Sequence, residues 1–280
     1  LGALTLPGDL AGRVTANSGT TVTVKGNLTA DSLLAMSKDL GTLAVTGQAA
    51  GLVNLGSSKS LKVTGALVAG ATITVQGDSR TVAVTGGIQE GALLLLGQGA
   101  TSVSIGGTVN GVVGVRRSVG TATVATITNG IFAIGGDIKS LSVTGSASNS
   151  ILAAGIWIGA DGIYNTADDV IYGGSIATVK VTGIMTDSLI TAGVLPPQDA
   201  ASLTNNIPVD YSLFDYSPDA LNPADKNAAE SGGIVVSRIG SASFGKPVVS
   251  TSPLQGHFSG LITSSGVTKN ATPKTTEALK

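Results

Sequence analysis

The sequence predicts an all-β fold, a parallel, right-handed and three-sided β-helix (β-solenoid) of about eight or nine coils. Three observations lead to this prediction: a five-residue motif recurs, its copies keep a regular spacing, and the composition is rich in glycine and poor in aromatic and charged residues. Glycine accounts for 40 of 280 residues, against 3% aromatic and 12% charged residues. We expect these glycines to supply sharp corners at positive φ in every coil.

The motif is an apolar residue, a variable residue, valine, threonine and glycine. Its clear copies are Leu43–Gly47, Leu61–Gly65, Val82–Gly86, Leu141–Gly145 and Val179–Gly183, and its weaker copies are Val22–Gly26, Val103–Gly107, Ala122–Thr126 and the divergent Ala242–Gly245. Successive copies from 26 to 145 end 18 to 21 residues apart. The step from 145 to 183 is 38 residues, so it holds either a degenerate coil or an insertion of about one period.

Alternate residues of each copy point to the same side of a strand, which makes Leu43 and Val45 core residues. A strand this short cannot bury enough surface alone, and all copies share one direction and spacing. Stacking them in parallel places Leu43 between Val22 and Leu61 in a continuous apolar ladder. An antiparallel β-sandwich is the competing fold, and the regular period disfavours it.

Two further patterns complete each coil. An apolar run closed by glycine follows each motif, as in Leu52–Gly56, Leu93–Gly97, Ile131–Gly135, Ile151–Gly155 and Leu189–Gly193. A brief segment with one apolar residue lies between the two patterns, as at Leu28, Ile88, Val109 and Ile127. Each period therefore predicts two clear strands and a shorter third, all too short for helices.

The repeat runs through most of the chain, so we expect one elongated domain over residues 1–265. Two excursions are predicted to leave the coils, at about 156–174 and 194–231, where the motif spacing breaks. The second contains Tyr211, Phe214 and Tyr216, which we expect to pack on the coils or to contact a partner. Residues 266–280 are polar, lack the pattern and are predicted to form a flexible tail or linker.

Charge and composition argue against several function classes. The net charge is −1 and the only adjacent basic pair is Arg116-Arg117, so we expect no nucleic-acid binding. The chain has no cysteine, which excludes disulfides and thiolate metal sites. The longest strictly apolar run, Ala92–Leu96, is far too short to predict a membrane span.

The first excursion contains an acidic loop, Gly159–Val170, with three carboxylates and an asparagine within nine residues. Clustered oxygen donors on a turning backbone are what calcium requires, and Gly162 permits a tight turn. The predicted ligands are the side chains of Asp161, Asn165, Asp168 and Asp169, with main-chain carbonyls near Ile163 and Thr166. The alternative is a cluster of Asx-turns without metal, in which Asp161 and Asp168 accept hydrogen bonds from backbone N–H groups.

The order of residues in this loop, Asp-Gly-x-x-x-Thr-x-Asp-Asp, does not match an EF-hand. It resembles the acidic loops of large secreted bacterial β-solenoid surface proteins, which are regarded as calcium sites that tie an excursion to the rod. The resemblance covers roughly residues 140–195, and elsewhere only the coil pattern matches. It implies a bound calcium ion and a location outside the cell or on the bacterial surface.

The function predicted from the sequence is non-catalytic: a spacer, an adhesin segment or a subunit that assembles end to end, with other surface proteins or glycans as further partners. The alternative is a carbohydrate-active or carbohydrate-binding β-helix, with Asp168 and Asp169 as a carboxylate pair. Those two acids are sequence neighbours, so on an extended segment their side chains point in opposite directions. The single histidine, His257, is more often a surface residue than a general base.

Overall fold

The computed structural model is a parallel β-solenoid. It describes residues 1–163, 166, 168–186, 188–193, 238–245, 248–249, 254–255, 257–258 and 262–264. The predicted second excursion, the predicted tail and Asn165 lie outside these residues. No helix in the described part of the chain is long and apolar enough to span a membrane.

The motif strands form the first side of the solenoid, here called face A. Its strands are β1 (Ala3–Leu6), β3 (Gly19–Val24), the second halves of β4 (Leu33–Val45) and β5 (Leu52–Val63), β7 (Ser79–Val84), β9 (Ala100–Val109), β11 (Val119–Thr128), β13 (Ile138–Val143), β18 (Ile176–Val181), β21 (Arg238–Phe244), β24 (His257–Phe258) and β25 (Ile262–Ser264). Leu43 pairs with Val22 on one side and Leu61 on the other, which confirms the predicted ladder. The divergent motif is also confirmed as a rung, because Ala242 pairs with Val179.

The apolar runs form the second side, face B. Its strands are β2 (Arg13–Ala16), the first halves of β4 and β5, β6 (Thr72–Val75), β8 (Leu93–Leu96), β10 (Val112–Val115), β12 (Ile131–Ile134), β15 (Ile151–Ala154), β20 (Leu189–Ala192) and β23 (Leu254–Gln255). Neighbouring strands pair in parallel throughout, as when Ile73 pairs with Leu94. Alternate residues point inward, so face B adds a second set of apolar ladders to the core.

The third side, face C, is the shortest. In the early coils it consists of single parallel bridges that link Leu10, Leu28, Ala49, Leu67, Ile88 and Val109 in series. In the later coils it consists of the ends of β9 and β11 and the short strands β14 (Ala147–Ser148), β19 (Met185–Thr186) and β22 (Val248–Val249). The three-sided cross-section is therefore confirmed, while its right hand stays a prediction.

The core is a column of stacked apolar side chains enclosed by the three faces. Leu43, Leu61 and Val82 are completely buried rungs of face A, and Phe132 is a completely buried rung of face B. The only antiparallel pair among the described strands joins β16 (Ile156–Trp157) to β17 (Val170–Ile171). The other described pairs are parallel and join successive coils. Each coil therefore buries its apolar residues mainly against the coils before and after it.

The glycine that ends the motif serves a different purpose from the one we expected. The described glycines at positive φ are Gly70, Gly87, Gly91, Gly155, Gly159, Gly162, Gly173 and Gly193, and none of them ends a motif. Instead, successive motif glycines stack closely: a Cβ on Gly107 would lie 2.6 Å from the carbonyl carbon of Gly86. Glycine is required at Gly86 and Gly107 because the backbones of the neighbouring corners leave no room for a side chain.

This close stacking predicts that Gly86→Ala lowers the free energy of unfolding by about 1–3 kcal/mol. The added Cβ would lie 2.6 Å from both the backbone nitrogen of Ala66 and the carbonyl carbon of Gly65, which cannot move aside without shifting a coil. Gly12→Ala is the matched control, because no heavy atom lies within 4 Å of its Cβ position. Chemical denaturation of both variants checks the prediction, and an equal effect of the two substitutions would contradict it.

The 38-residue step between Gly145 and Gly183 is a single coil with an insertion. Strand β13 pairs directly with β18, β14 with β19 and β15 with β20, so no additional rung lies between them. The extra residues all leave the coil after Ala154 and return before Ile176. This is the first excursion predicted at about 156–174, and the degenerate-coil alternative is wrong.

Candidate functional site

The first excursion leaves and rejoins the solenoid through a narrow neck of glycines. Gly155 and Gly173 have φ values of 79° and 72°, which favour glycine. The backbone nitrogens of Tyr172 and Gly173 donate to the carbonyl of Gly155 at 2.9 and 3.2 Å, which closes the neck. A Cβ on Gly174 would lie 2.5 Å from the carbonyl oxygen of Gly136, so the returning strand fits tightly against the previous coil.

Beyond the neck the hairpin β16–β17 folds back over the outside of face B. Ile156 and Ile158 are completely buried in a second apolar cluster that also contains Ile131, Ala133, Ile151 and Ala153. These four partners are the outward-facing residues of β12 and β15. The cluster therefore lies outside the solenoid wall and holds the excursion against it.

The strands beneath the excursion carry a sequence signal for this packing. Strands β8, β12 and β15 read Leu-Leu-Leu-Leu, Ile-Phe-Ala-Ile and Ile-Leu-Ala-Ala, with apolar residues on both sides. Strand β6 reads Thr-Ile-Thr-Val and keeps the alternation of a half-exposed strand. A strand that is apolar at every position is buried on both faces, and this signal could have located the surface that the excursion covers.

Contacts near the excursion tip extend over two earlier coils. A Cβ on Gly114 would lie 3.3 Å from Cζ3 of Trp157, so the indole ring packs closely over this glycine. Gly162 lies against the side chain of Leu93, since a Cβ on Gly162 would be 3.0 Å from a methyl carbon of Leu93. At the other end of the excursion, Nε of Arg116 donates to the hydroxyl of Tyr172 at 3.0 Å.

The acidic loop at the tip is held by hydrogen bonds from its own carboxylates. Oδ1 of Asp161 accepts from the backbone nitrogen of Ile163 at 2.8 Å, an Asx-turn. Oδ2 of Asp168 accepts from the backbone nitrogen of Ala160 at 2.8 Å, and its Oδ1 accepts from the hydroxyl of Thr166 at 2.7 Å. Asp168 therefore ties the two sides of the loop together.

Asp169 and Thr166 form a second, smaller turn. Oδ2 of Asp169 accepts from the backbone nitrogen of Thr166 at 3.1 Å, and the hydroxyl of Thr166 lies 3.1 Å from the carbonyl oxygen of Ile163. The φ values of Gly159 and Gly162 are both 68°, so the tight turn expected at Gly162 is confirmed. Every predicted ligand among the described residues thus takes part in the loop's hydrogen bonds.

These contacts bear on how the loop would hold calcium. Within the described residues, no three or more aspartate, glutamate, histidine or cysteine side chains form a group that could hold a metal ion. The loop has the backbone hydrogen bonds to Asp161 and Asp168 of the metal-free alternative. A calcium ion would have to draw these carboxylates closer together, and calcium stays a prediction.

The hydrogen bond from Thr166, followed by that from the backbone of Ala160, lowers the pKa of Asp168 below its usual value. Both bonds favour the charged form of the carboxylate. The stabilisation that the carboxylate gives the loop is therefore fully present at neutral pH. It is lost only as the pH falls through the lowered pKa.

Comparison with known proteins gives no relative: no protein-family model, no curated protein and no solved structure matches this chain.

Proposed function

We propose that this chain is a non-catalytic structural segment of a bacterial extracellular or cell-surface protein, acting as a rigid spacer, an adhesin segment or an assembly subunit. The observation that supports this most is the continuity of the parallel ladders on all three sides among the described strands, which the first excursion does not interrupt. Such a column resists bending because each coil is bonded along its length to the next. The location follows from the resemblance of the acidic loop to secreted solenoids.

The outer side of face A supports a structural role. One outward column along its strands carries a hydroxyl at each of nine successive rungs, namely Thr21, Thr42, Ser60, Thr81, Ser102, Thr121, Ser140, Thr178 and Ser241. Serine and threonine hydroxyls do not titrate near neutral pH and suit a solvated sheet surface. Turnover of an acidic polysaccharide that disappears in Asp168→Ala would contradict the non-catalytic assignment.

The strands at the N-terminal end of the solenoid, β1 and β2, support assembly end to end. Among the described strands β1 pairs only with β3 and β2 only with β4, so no described strand pairs with the opposite edge of either. Leu4, Leu6, Val14 and Ala16 at this end are only partly buried and pack against the core. An open edge with apolar residues behind it is a template for another strand.

Light scattering over a range of concentrations tests this assembly. The mean particle size is expected to grow with concentration, and Leu6→Lys is expected to suppress the growth by placing a charge in the stacking surface. Thr5→Lys is the matched control, since Thr5 lies on the same strand and is exposed. A strictly monomeric chain at high concentration would overturn end-to-end assembly.

We further propose that calcium binds the acidic loop in solution through oxygens of Asp161, Ile163, Asn165, Thr166, Asp168 and Asp169. The loop composition supports this, because three carboxylates and one carboxamide supply hard oxygen ligands. Calorimetry is expected to give a heat of binding, and added calcium to raise the melting temperature. Both effects should be lost in the double variant Asp168→Asn/Asp169→Asn and kept in Asp78→Asn, an exposed acid on another coil. No heat and no change in melting temperature with calcium or chelator would remove the site.

A further inference from the structure

The excursion covers only part of the outer side of face B. Its contacts begin at β8 and continue through β10, β12 and β15. The outward residues of the earlier coils form two columns, one of Arg13, Leu33, Leu52 and Thr72 and one of Thr15, Ala35, Asn54 and Thr74. Leu52 is 39% exposed, so apolar surface lies open beside polar side chains on this half of the face.

A groove of about 460 Å³ runs along the edge of this uncovered half. It is lined by Thr15, Ala16, Ala35, Met36, Ser37, Asn54, Leu55 and Gln76. The groove lies where the register of β4 against β5 shifts between Met36 and Asp39, an irregularity of the β-bulge kind. Its volume is within the range of small-molecule sites.

The polar groups of the groove are available to a ligand. The side chains of Thr15, Asn54 and Gln76 form no hydrogen bond with any other described residue, whereas the hydroxyl of Ser37 donates to Oδ1 of Asn17 at 2.9 Å. The two amides each offer donors and an acceptor, and the hydroxyl of Thr15 offers both. Ala35 supplies apolar surface between these groups, and Leu33 and Leu52 lie beside it on the outer side of the same strands.

We propose that this groove binds a neutral glycan chain. None of its lining residues is charged, and its exposed charged neighbours Arg13, Lys38 and Asp39 include both signs, so the lining itself offers no charge that would select a polyanion. The strands beneath it are hydrogen-bonded to strands on both sides, except for the end strand β2, so an added peptide strand has few free partners. Sugars present hydroxyls beside apolar C–H faces, which match the amides, hydroxyls and leucine side chains of this surface.

The site lies on earlier coils than those that the acidic loop contacts. Glycan binding goes beyond the structural role proposed above, because the strand ladders that support a spacer do not require any ligand. Binding would give the rod a lateral attachment to a neutral polysaccharide, several coils away from the excursion.

Titration calorimetry with neutral oligosaccharides tests the proposal, with cellohexaose, maltohexaose and chitohexaose as probes and oligogalacturonate as the acidic comparison. At least one neutral probe is expected to bind, and Asn54→Ala/Gln76→Ala is expected to weaken it about tenfold or more, through the loss of two hydrogen bonds. Gln89→Ala, an exposed amide elsewhere on the solenoid, is the matched control and should bind normally. Equal melting temperatures of the variants would show that the fold is kept.

Three outcomes would overturn the proposal: no binding of any neutral probe, binding of oligogalacturonate alone, or binding of a neutral probe that the double variant does not weaken. The last outcome would place the glycan elsewhere on the chain.

Discussion

Phe132→Ala is expected to lower the free energy of unfolding by about 3–5 kcal/mol, the cost of removing a large buried aromatic side chain. Phe132 is completely buried in the inward ladder of face B, where it stacks between Val113 and Leu152. Both neighbours belong to other coils, so the cavity would weaken two coil interfaces together. Denaturant unfolding monitored by circular dichroism measures the loss.

Two controls separate packing from a general effect of substitution. Phe132→Leu keeps most of the volume and should cost much less than Phe132→Ala. Ile184→Ala removes an apolar side chain that is 43% exposed and should change stability little. A cost below about 1 kcal/mol for Phe132→Ala would mean that the ladder of face B is not packed as described.

Ile158→Asp is expected to release the excursion from the outer wall. Ile158 is completely buried among apolar residues, so a carboxylate at this position would lose its hydration without gaining a partner. Lifting the hairpin into water avoids that cost, which limits the damage to the excursion and the strands it covers. Hydrogen exchange of amides in residues 156–172 is therefore expected to accelerate by about tenfold or more, while the early coils stay protected.

Val170→Asp is the matched control, since Val170 lies on the same excursion and is 36% exposed. Its exchange pattern should resemble that of the unchanged chain. If Ile158→Asp left the exchange of the excursion unchanged, the apolar cluster outside the wall would not be what holds it. Uniform acceleration across all coils would instead indicate that the excursion supports the whole rod.

Much of the coil architecture could be predicted from the sequence, because the repeat fixes neighbours once parallel stacking is assumed. The position of Leu43 between Val22 and Leu61 follows from the motif spacing alone. The single apolar residues between the two patterns, such as Leu28 and Ile88, are confirmed as rungs of the third face. Periodicity carried this information because every coil repeats the same inward positions.

The function of the motif glycine could not be read in the same way. Positive φ and close backbone approach both select glycine, and only the distances between coils distinguish them. At Gly86 and Gly107 the reason for glycine is the close approach of the backbone at the previous corner. The same limit applies to the insertion, since counting residues between Gly145 and Gly183 cannot separate an extra coil from an excursion.

The acidic loop was predictable in composition and less so in geometry. Its carboxylates were identified from sequence, and the turn at Gly162 was expected correctly. Which groups the oxygens contact depends on local backbone positions, and Asp161 and Asp168 turn to nearby N–H groups. The groove on face B was missed because its residues come from four coils and share no motif.

Distances between spin labels along face A test the central claim, a straight parallel ladder in which the excursion adds no rung. The chain has no cysteine, so pairs can be introduced cleanly, with Thr21→Cys combined in turn with Ser102→Cys, Ser140→Cys and Thr178→Cys. With strands about 4.8 Å apart, the ladder predicts separations of about 19, 29 and 34 Å. The step from Ser140 to Thr178 should add only about 5 Å although it spans 38 residues. An increase of about 10 Å at that step, or separations that do not grow evenly, would contradict the claim.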